Sequence, residues 1–162
     1  MHKTWQDRYV EIDAVRAHYI ESGRGQAETV LLIHGGGAIS SAEMNYGAIM
    51  EPLGRHFRVI ALDVVGFGET PPRGPQDYPA AAQGDFIVKF LAEMDLSAHV
   101  GGNSHGGWLA QYVAHEAPER TRRLIIINSL NGSSPLPPEP EGLRYIHSPE
   151  GHAHEPPTLD RM

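Results

Sequence analysis

His99-Val100-Gly101-Gly102-Asn103-Ser104-His105-Gly106-Gly107-Trp108-Leu109-Ala110 is the stretch on which the reading of this chain turns. Gly102, Ser104 and Gly106 spell G-x-S-x-G, the pattern of a strand that bends sharply into a helix and lifts the central Ser clear of the backbone. Glycines flank such a turn because a Cβ on either side would collide with the neighbouring strand or helix. Lifting Ser104 exposes its Oγ and aims the first N–H groups of the next helix at whatever that oxygen attacks. The pattern alone is a weak signal, since Gly and Ser are common in loops, but its context supplies what it requires. Val100 precedes it as a short apolar strand, and Trp108, Leu109, Tyr112 and Val113 follow at helical spacing.

Working outward, the upstream chain reads as strands alternating with helices. Tyr9–Ile12 and Val15–Ile20 alternate apolar and polar residues across a turn near Asp13, as a half-buried antiparallel pair at a sheet edge should. Thr29–Ile33 is a continuous apolar run, the mark of a strand covered on both faces. It ends in His34-Gly35-Gly36-Gly37, and a helix is predicted from Asn45 to about Leu53. Phe57–Leu62 reads as another buried strand, and Gly66–Pro72 as a loop. Phe86, Ile87, Phe90 and Leu91 give Ala80–Met94 the spacing of an amphipathic helix. Downstream of the Ser104 helix, which Pro118 should stop, Arg123–Asn128 reads as a further buried strand. Short loops between such units imply an α/β fold with a mostly parallel sheet and right-handed crossovers. Residues 1–130 thus form the expected core. Residues 131–162 are Pro-rich and apolar-poor, and such a segment cannot order itself unaided.

The totals narrow the function classes. A chain of 162 residues holds one domain with its own core. Its net charge of −7, with no basic cluster, argues against nucleic acid and anionic membrane surfaces as partners. No cysteine is present, which removes a thiol nucleophile and fits a reducing cytoplasm. The polar N-terminus lacks a signal-peptide core, and no apolar run approaches the roughly 20 residues of a membrane helix. The expected partner is therefore a small-molecule substrate.

Ser104 is the candidate nucleophile. Its natural companions are two backbone donors, the N–H of Gly36 and the N–H of His105, each of which would stabilise an oxyanion by about 3 kcal/mol. Both elements fall at strand carboxyl ends, where open α/β sheets bind their ligands. Their co-occurrence is far more specific than either motif alone.

With these residues in hand, the chain resembles the α/β-hydrolase family. More narrowly it is similar to the meta-cleavage-product hydrolases, which break a carbon–carbon bond in ring-opened aromatic catabolites. The resemblance rests on His34-Gly35-Gly36-Gly37 with Asn45-Tyr46, on Leu62-Asp63 with Gly66-Phe67-Gly68, and on Gly102–Gly107, and spans about Tyr9 to Ser148. It implies Ser-dependent hydrolysis of a 2-hydroxy-6-oxo-dienoate without a cofactor. It also implies that Asn45 and Asn103 contact the dienoate end, with Gly35 and Gly37 lining the substrate beside them. Read without the resemblance, Asn45 is a helix cap and Asn103 a packing residue behind the turn.

The chain departs from that pattern in two places. Gly101 stands where an apolar residue is usual, and His105 follows the nucleophile where Met is common. His105 is not the expected base, because a side chain next to Ser at so sharp a turn points away from Oγ. The larger departure is the acid–base half. The family order is Ser, then Asp, then His on later loops, and neither loop is present, so the sheet reads as ending after about the sixth strand with 131–162 as the start of a lid. His34, His56, His99 and His115 belong to elements otherwise accounted for, and His147, His152 and His154 lie downstream with no strand behind them. His152-x-His154-Glu155 superficially offers a metal pair, but no rigid third ligand accompanies it, so no metal is expected. No glycine run continues into Gly-Lys-Ser/Thr, so a nucleotide loop is not expected either. The alternatives are an esterase-type hydrolase, since fold does not set substrate, and a non-catalytic binding module. Without later strands, Leu124–Ile127 should form an uncovered apolar edge and self-associate into homo-oligomers or aggregates.

Overall fold

The structure, a computed structural model, describes residues 3–129. The expectations for 131–162, including the lid and its histidines, lie outside the described residues.

A tight hairpin starts the sheet. β1 (Gln6–Ile12) and β2 (Val15–Ser22) pair antiparallel through a turn whose Asp13 and Ala14 both have positive φ, 48° and 63°. Two such residues match the right-handed twist of the strands they join. β3 (Thr29–Ile33), β4 (Arg58–Leu62), β5 (Ala98–Asn103) and β6 (Thr121–Ile127) complete a sheet of order β1-β2-β4-β3-β5-β6. β3 pairs parallel with β4 and β5, and β5 parallel with β6, while β2 meets β4 antiparallel. The order places β3 and β5 side by side at the centre, so their carboxyl ends, with the Gly triplet and Ser104, emerge together.

Helices cover the two faces. α2 (Ala80–Glu93) and α3 (His105–Glu116) pack on one face, where Phe86, Ile87 and Phe90 meet Leu31, Ile33, Ile60 and Val100. α1 (Ala42–Gly54) packs on the other, where Tyr46 and Met50 meet Ile20, Val30, Leu32 and Val59. The strict alternation of Val30, Leu31, Leu32 and Ile33 between these cores explains why β3 is apolar throughout.

Two expectations need correction. α1 begins at Ala42 and not at Asn45, because Ser41 caps it by accepting the Met44 N–H at 3.1 Å. Asn45 lies in the first turn, where its Nδ2 donates to Ser41 O, so it is not the cap. β6 is not a buried strand. Leu124, Ile125, Ile126 and Ile127 are 40–47 % exposed, since β5 is its sole strand neighbour among the described residues.

Candidate functional site

Ser104 occupies the corner between β5 and α3 with φ 53° and ψ −120°, and it is exposed. A side chain in that backbone region is strained, and the surrounding backbone holds it there. Ser104 N–H donates to Ile127 O at 3.0 Å, and Ser104 O accepts from Gly107 N at 3.0 Å and Trp108 N at 3.3 Å. The flanking glycines are required by contact. A Cβ on Gly102 would sit 2.3 Å from Gly106 O and 2.7 Å from Ile33 O, and one on Gly106 would sit 2.0 Å from Ile33 O. Gly101 is less constrained, its Cβ position lying 3.0 Å from Ile125 Cβ.

The Gly triplet lies against this corner. A Cβ on Gly35 would be 3.2 Å from Asn103 Nδ2 and 3.6 Å from Ser104 Cβ. His34 anchors the loop from below: its buried Nε2 accepts the Val64 N–H at 3.1 Å, and its Nδ1–H donates to Gly35 O at 2.7 Å. Burial lowers the His34 pKa, and a second ring proton would face the Val64 N–H, so the ring is neutral. Gly37 N–H donates to Ser40 Oγ at 3.1 Å and so belongs to the loop itself. Among the described residues no hydrogen bond engages the N–H of half-buried Gly36.

Two residues to which the sequence assigned no role in the site, Tyr46 and Gln83, set the positions of those to which it did. Tyr46 Oη, buried, lies 2.8 Å from Ile33 O and 2.9 Å from Asn103 Oδ1, and donates its one proton to these acceptors. Burial pushes its pKa up to about 12. Gln83, fully buried in α2, accepts at Oε1 from His105 Nε2 at 2.7 Å, and the His105 ring stacks on Trp108. That bond turns the His105 side chain toward α2 while its backbone N–H opens α3. A polar Gln83 in phase with Phe86, Ile87 and Phe90 was the available signal for this contact. Asn45, by contrast, makes its hydrogen bond within its own helix.

Asp63, at the end of β4, ties the scaffold together. Its Oδ1 accepts from Ala42 N at 2.6 Å, and its Oδ2 from Glu69 N at 2.9 Å and His18 Nδ1 at 2.7 Å. Burial works to raise the Asp63 pKa, but these hydrogen bonds outweigh it and hold it below 3.8. Burial likewise works to lower that of His18, yet the Asp63 hydrogen bond and charge raise it above 6.5. The start of α1, and with it Tyr46, is thereby fixed to the strand beside the Gly triplet. Among the described residues no group of three or more His, Asp or Glu could hold a metal ion, and no helix is long and apolar enough to cross a membrane.

A serine at a strand–helix corner against a glycine loop is a recurrent arrangement, and residues 28–148 match a family model described as the alpha/beta hydrolase fold. The chain belongs to that family. It is 34 % identical over 125 residues to a 2-hydroxy-6-oxo-6-(2'-aminophenyl)hexa-2,4-dienoic acid hydrolase of Metapseudomonas resinovorans, covering 76 % of this chain and 42 % of that one. It is 35 % identical over 123 residues to the dihydrolipoyllysine-residue acetyltransferase component of an acetoin cleaving system of Cupriavidus necator, covering 75 % of this chain and 31 % of that one. A solved serine hydrolase involved in carbazole degradation superposes with a TM-score of 0.72 at 32 % identity, over 78 % of this chain and 49 % of that one. A 2-hydroxy-6-oxononadienedioate hydrolase, a 2-hydroxymuconate semialdehyde hydrolase and a 2-hydroxy-6-oxo-2,4-heptadienoate hydrolase are among the further relatives. The chain spans about half the length of most of the curated relatives it matches, from 31 % to 52 % of each.

Proposed function

We propose that this alpha/beta-hydrolase chain carries the nucleophile and oxyanion half of a serine hydrolase, acting on a carbon–carbon bond of a 2-hydroxy-6-oxo-dienoate. The observation that carries the reading is the exposed, positive-φ Ser104 beside the Gly35–Gly36 loop. Ser104 Oγ would attack the 6-oxo carbon, and the carbonyl oxygen would take up the negative charge between Gly36 N–H and His105 N–H. For that adduct to collapse, the 2-hydroxyl proton would first have moved to C5, giving the 2,6-dioxo form. The C5–C6 bond then breaks, its electron pair passing through the C3–C4 double bond onto the 2-oxo oxygen. That oxygen takes up the proton lost by Ser104, leaving a 2-hydroxy-dienoate and an acyl-Ser104. Water then releases the acyl group from Ser104. Asn103, oriented by Tyr46, is suited to the polar end of such a substrate, and the similarity to dienoate hydrolases favours this class over esters.

A second reading has its own observation. Among the described residues no imidazole or carboxylate hydrogen-bonds Ser104 Oγ, so the proton has no acceptor there and the site would bind an acyl compound without turning it over. One assay separates the readings: a ring-fission dienoate and a p-nitrophenyl ester, each with wild type and Ser104→Ala. Dienoate consumption lost in Ser104→Ala is the expected result. Turnover of the ester alone would remove the carbon–carbon reading, and binding of the dienoate with no turnover would leave the non-catalytic one.

A further inference from the structure

Gln83 is a polar side chain in an apolar place. It shares the stripe of Phe86, Ile87 and Phe90 on α2, and it is fully buried. An amide taken out of water is costly unless both of its ends are bonded. Here both are: Oε1 lies 2.7 Å from His105 Nε2, and the Gln83 NH₂ donates to Val65 O at 3.4 Å. A carbonyl oxygen only accepts, so the NH₂ end has to face Val65, and the Oε1 end, itself an acceptor, faces His105. His105 therefore carries a proton on Nε2.

Val65 belongs to a tight turn that reaches the other half of the site. Phe67 N–H donates to Val64 O at 2.9 Å, and Gly66 has φ 90°. These are the marks of a type II turn, whose positive φ sets the direction in which Val65 C=O points. One residue earlier, Val64 N–H donates to His34 Nε2 at 3.1 Å, and His34 Nδ1–H donates to Gly35 O at 2.7 Å. Val64 and Val65, both buried, thus set the ring protons of two imidazoles in opposite senses. An N–H leaves His34 with its proton on Nδ1, and a C=O, relayed by Gln83, puts one on Nε2 of His105.

We propose that Gln83 is a positioning residue for the oxyanion hole. It is the middle link of one chain that runs from His105 through Val65 and Val64 to His34 and Gly35, and that chain holds the N–H of His105 and the N–H of Gly36 at a fixed separation. The proposal rests on reading those two N–H groups as the oxyanion donors. Donors stabilise a developing charge only where they are already aimed at it. One donor opens α3 and the other sits in the loop after β3, and Gln83 ties these elements by directed bonds. Gln83→Met would fill a similar space and break both of those bonds.

The test uses the full chain, isotope-labelled for magnetic resonance, as wild type, Gln83→Met and Phe86→Leu, the last being a loss of packing on the same face of α2. Long-range proton–nitrogen spectra at about pH 8, where an ordinary imidazole is neutral, report the ring protons. Backbone amide spectra report His105 and Gly36. Wild type should show Nε2–H at His105 and Nδ1–H at His34. Gln83→Met should give a mixture of tautomers at His105 and move the amide peaks of both His105 and Gly36, while Phe86→Leu leaves both tautomers as they are. A His105 protonated on Nδ1 alone in wild type would overturn the proposal without any variant. A Gly36 peak that stays in place in Gln83→Met, or the same tautomer loss in Phe86→Leu, would overturn it as well. Activity is read separately: on a dienoate that wild type consumes, Gln83→Met should lower kcat by about tenfold or more at unchanged KM, and an equal kcat would overturn the proposal. A wild type that turns over neither dienoate nor ester removes the catalytic reading, and the tautomers and the Gly36 peak then decide the link by themselves.

Discussion

Asp63→Asn tests the scaffold most sharply. The wild-type carboxylate accepts from Ala42 N, Glu69 N and His18 Nδ1. An Asn keeps one acceptor oxygen. Turned toward Glu69 and His18, it presents its NH₂ to the Ala42 N–H; turned the other way, it confronts two donors. The first orientation is the less costly, and it leaves one buried backbone N–H unpaired at about 1–3 kcal/mol. The hydrogen bonds that survive lose their charge assistance, and His18 loses its nearer counter-ion while keeping the Asp7 carboxylate at 3.4 Å from Nε2. A total loss of roughly 3–5 kcal/mol is expected, the range for removing one partner of a buried pair. Urea unfolding followed by far-UV circular dichroism measures it.

The pH dependence supplies an independent check on the same pair. His18 has its pKa raised above 6.5, so its contribution is complete below 6.5 and is lost as pH rises through the folded value. Asp63 has its pKa held below 3.8, so its contribution is present above 3.8 and is lost as pH falls through the folded value. Wild type should therefore be more stable at about pH 5.5 than at about pH 8.5, and Asp63→Asn should lose that difference. A variant within about 1 kcal/mol of wild type at both pH values would refute the reasoning.

Two further predictions concern the corner. Gly106→Ala places a Cβ 2.0 Å from Ile33 O and 2.4 Å from His34 O, backbone atoms that cannot swing aside, and should cost roughly 3 kcal/mol or more. Gly25→Ala, with nothing within 4 Å, should leave the urea midpoint nearly unchanged, and equal midpoints for the two variants would sink the packing account. Ser104→Gly relieves a strain of about 1–3 kcal/mol against a smaller gain in unfolded-chain entropy. The net expectation is stabilisation by roughly 1 kcal/mol on thermal unfolding, and a lowered midpoint would contradict it.

Much of this protein is legible along the chain because the signals are local. β3 matches its apolar run residue for residue, and α2 and the β1–β2 hairpin follow from periodicity and turn chemistry. The Ser104 corner is readable because only glycine tolerates the contacts on either side of it, so the steric demand is written in the residue types. α1 starts three residues before the position its sequence suggests, because Ser41, its cap, sits in a Ser pair that reads equally well as loop.

What the tertiary structure alone decided is which residues meet across sequence distance. Tyr46 reaches Asn103, Gln83 reaches His105, and Asp63 gathers His18, Ala42 and Glu69 because the sheet order β1-β2-β4-β3-β5-β6 brings those ends together. A hydrogen bond between residues 57 positions apart, as in Tyr46 and Asn103, leaves no periodic trace in either segment. Exposure is equally non-local: Leu124–Ile127 and Thr29–Ile33 are both apolar runs, but among the described residues β3 is flanked by a strand on each side and β6 on one. Composition specifies that a strand forms, whereas its neighbours determine how much of it water reaches.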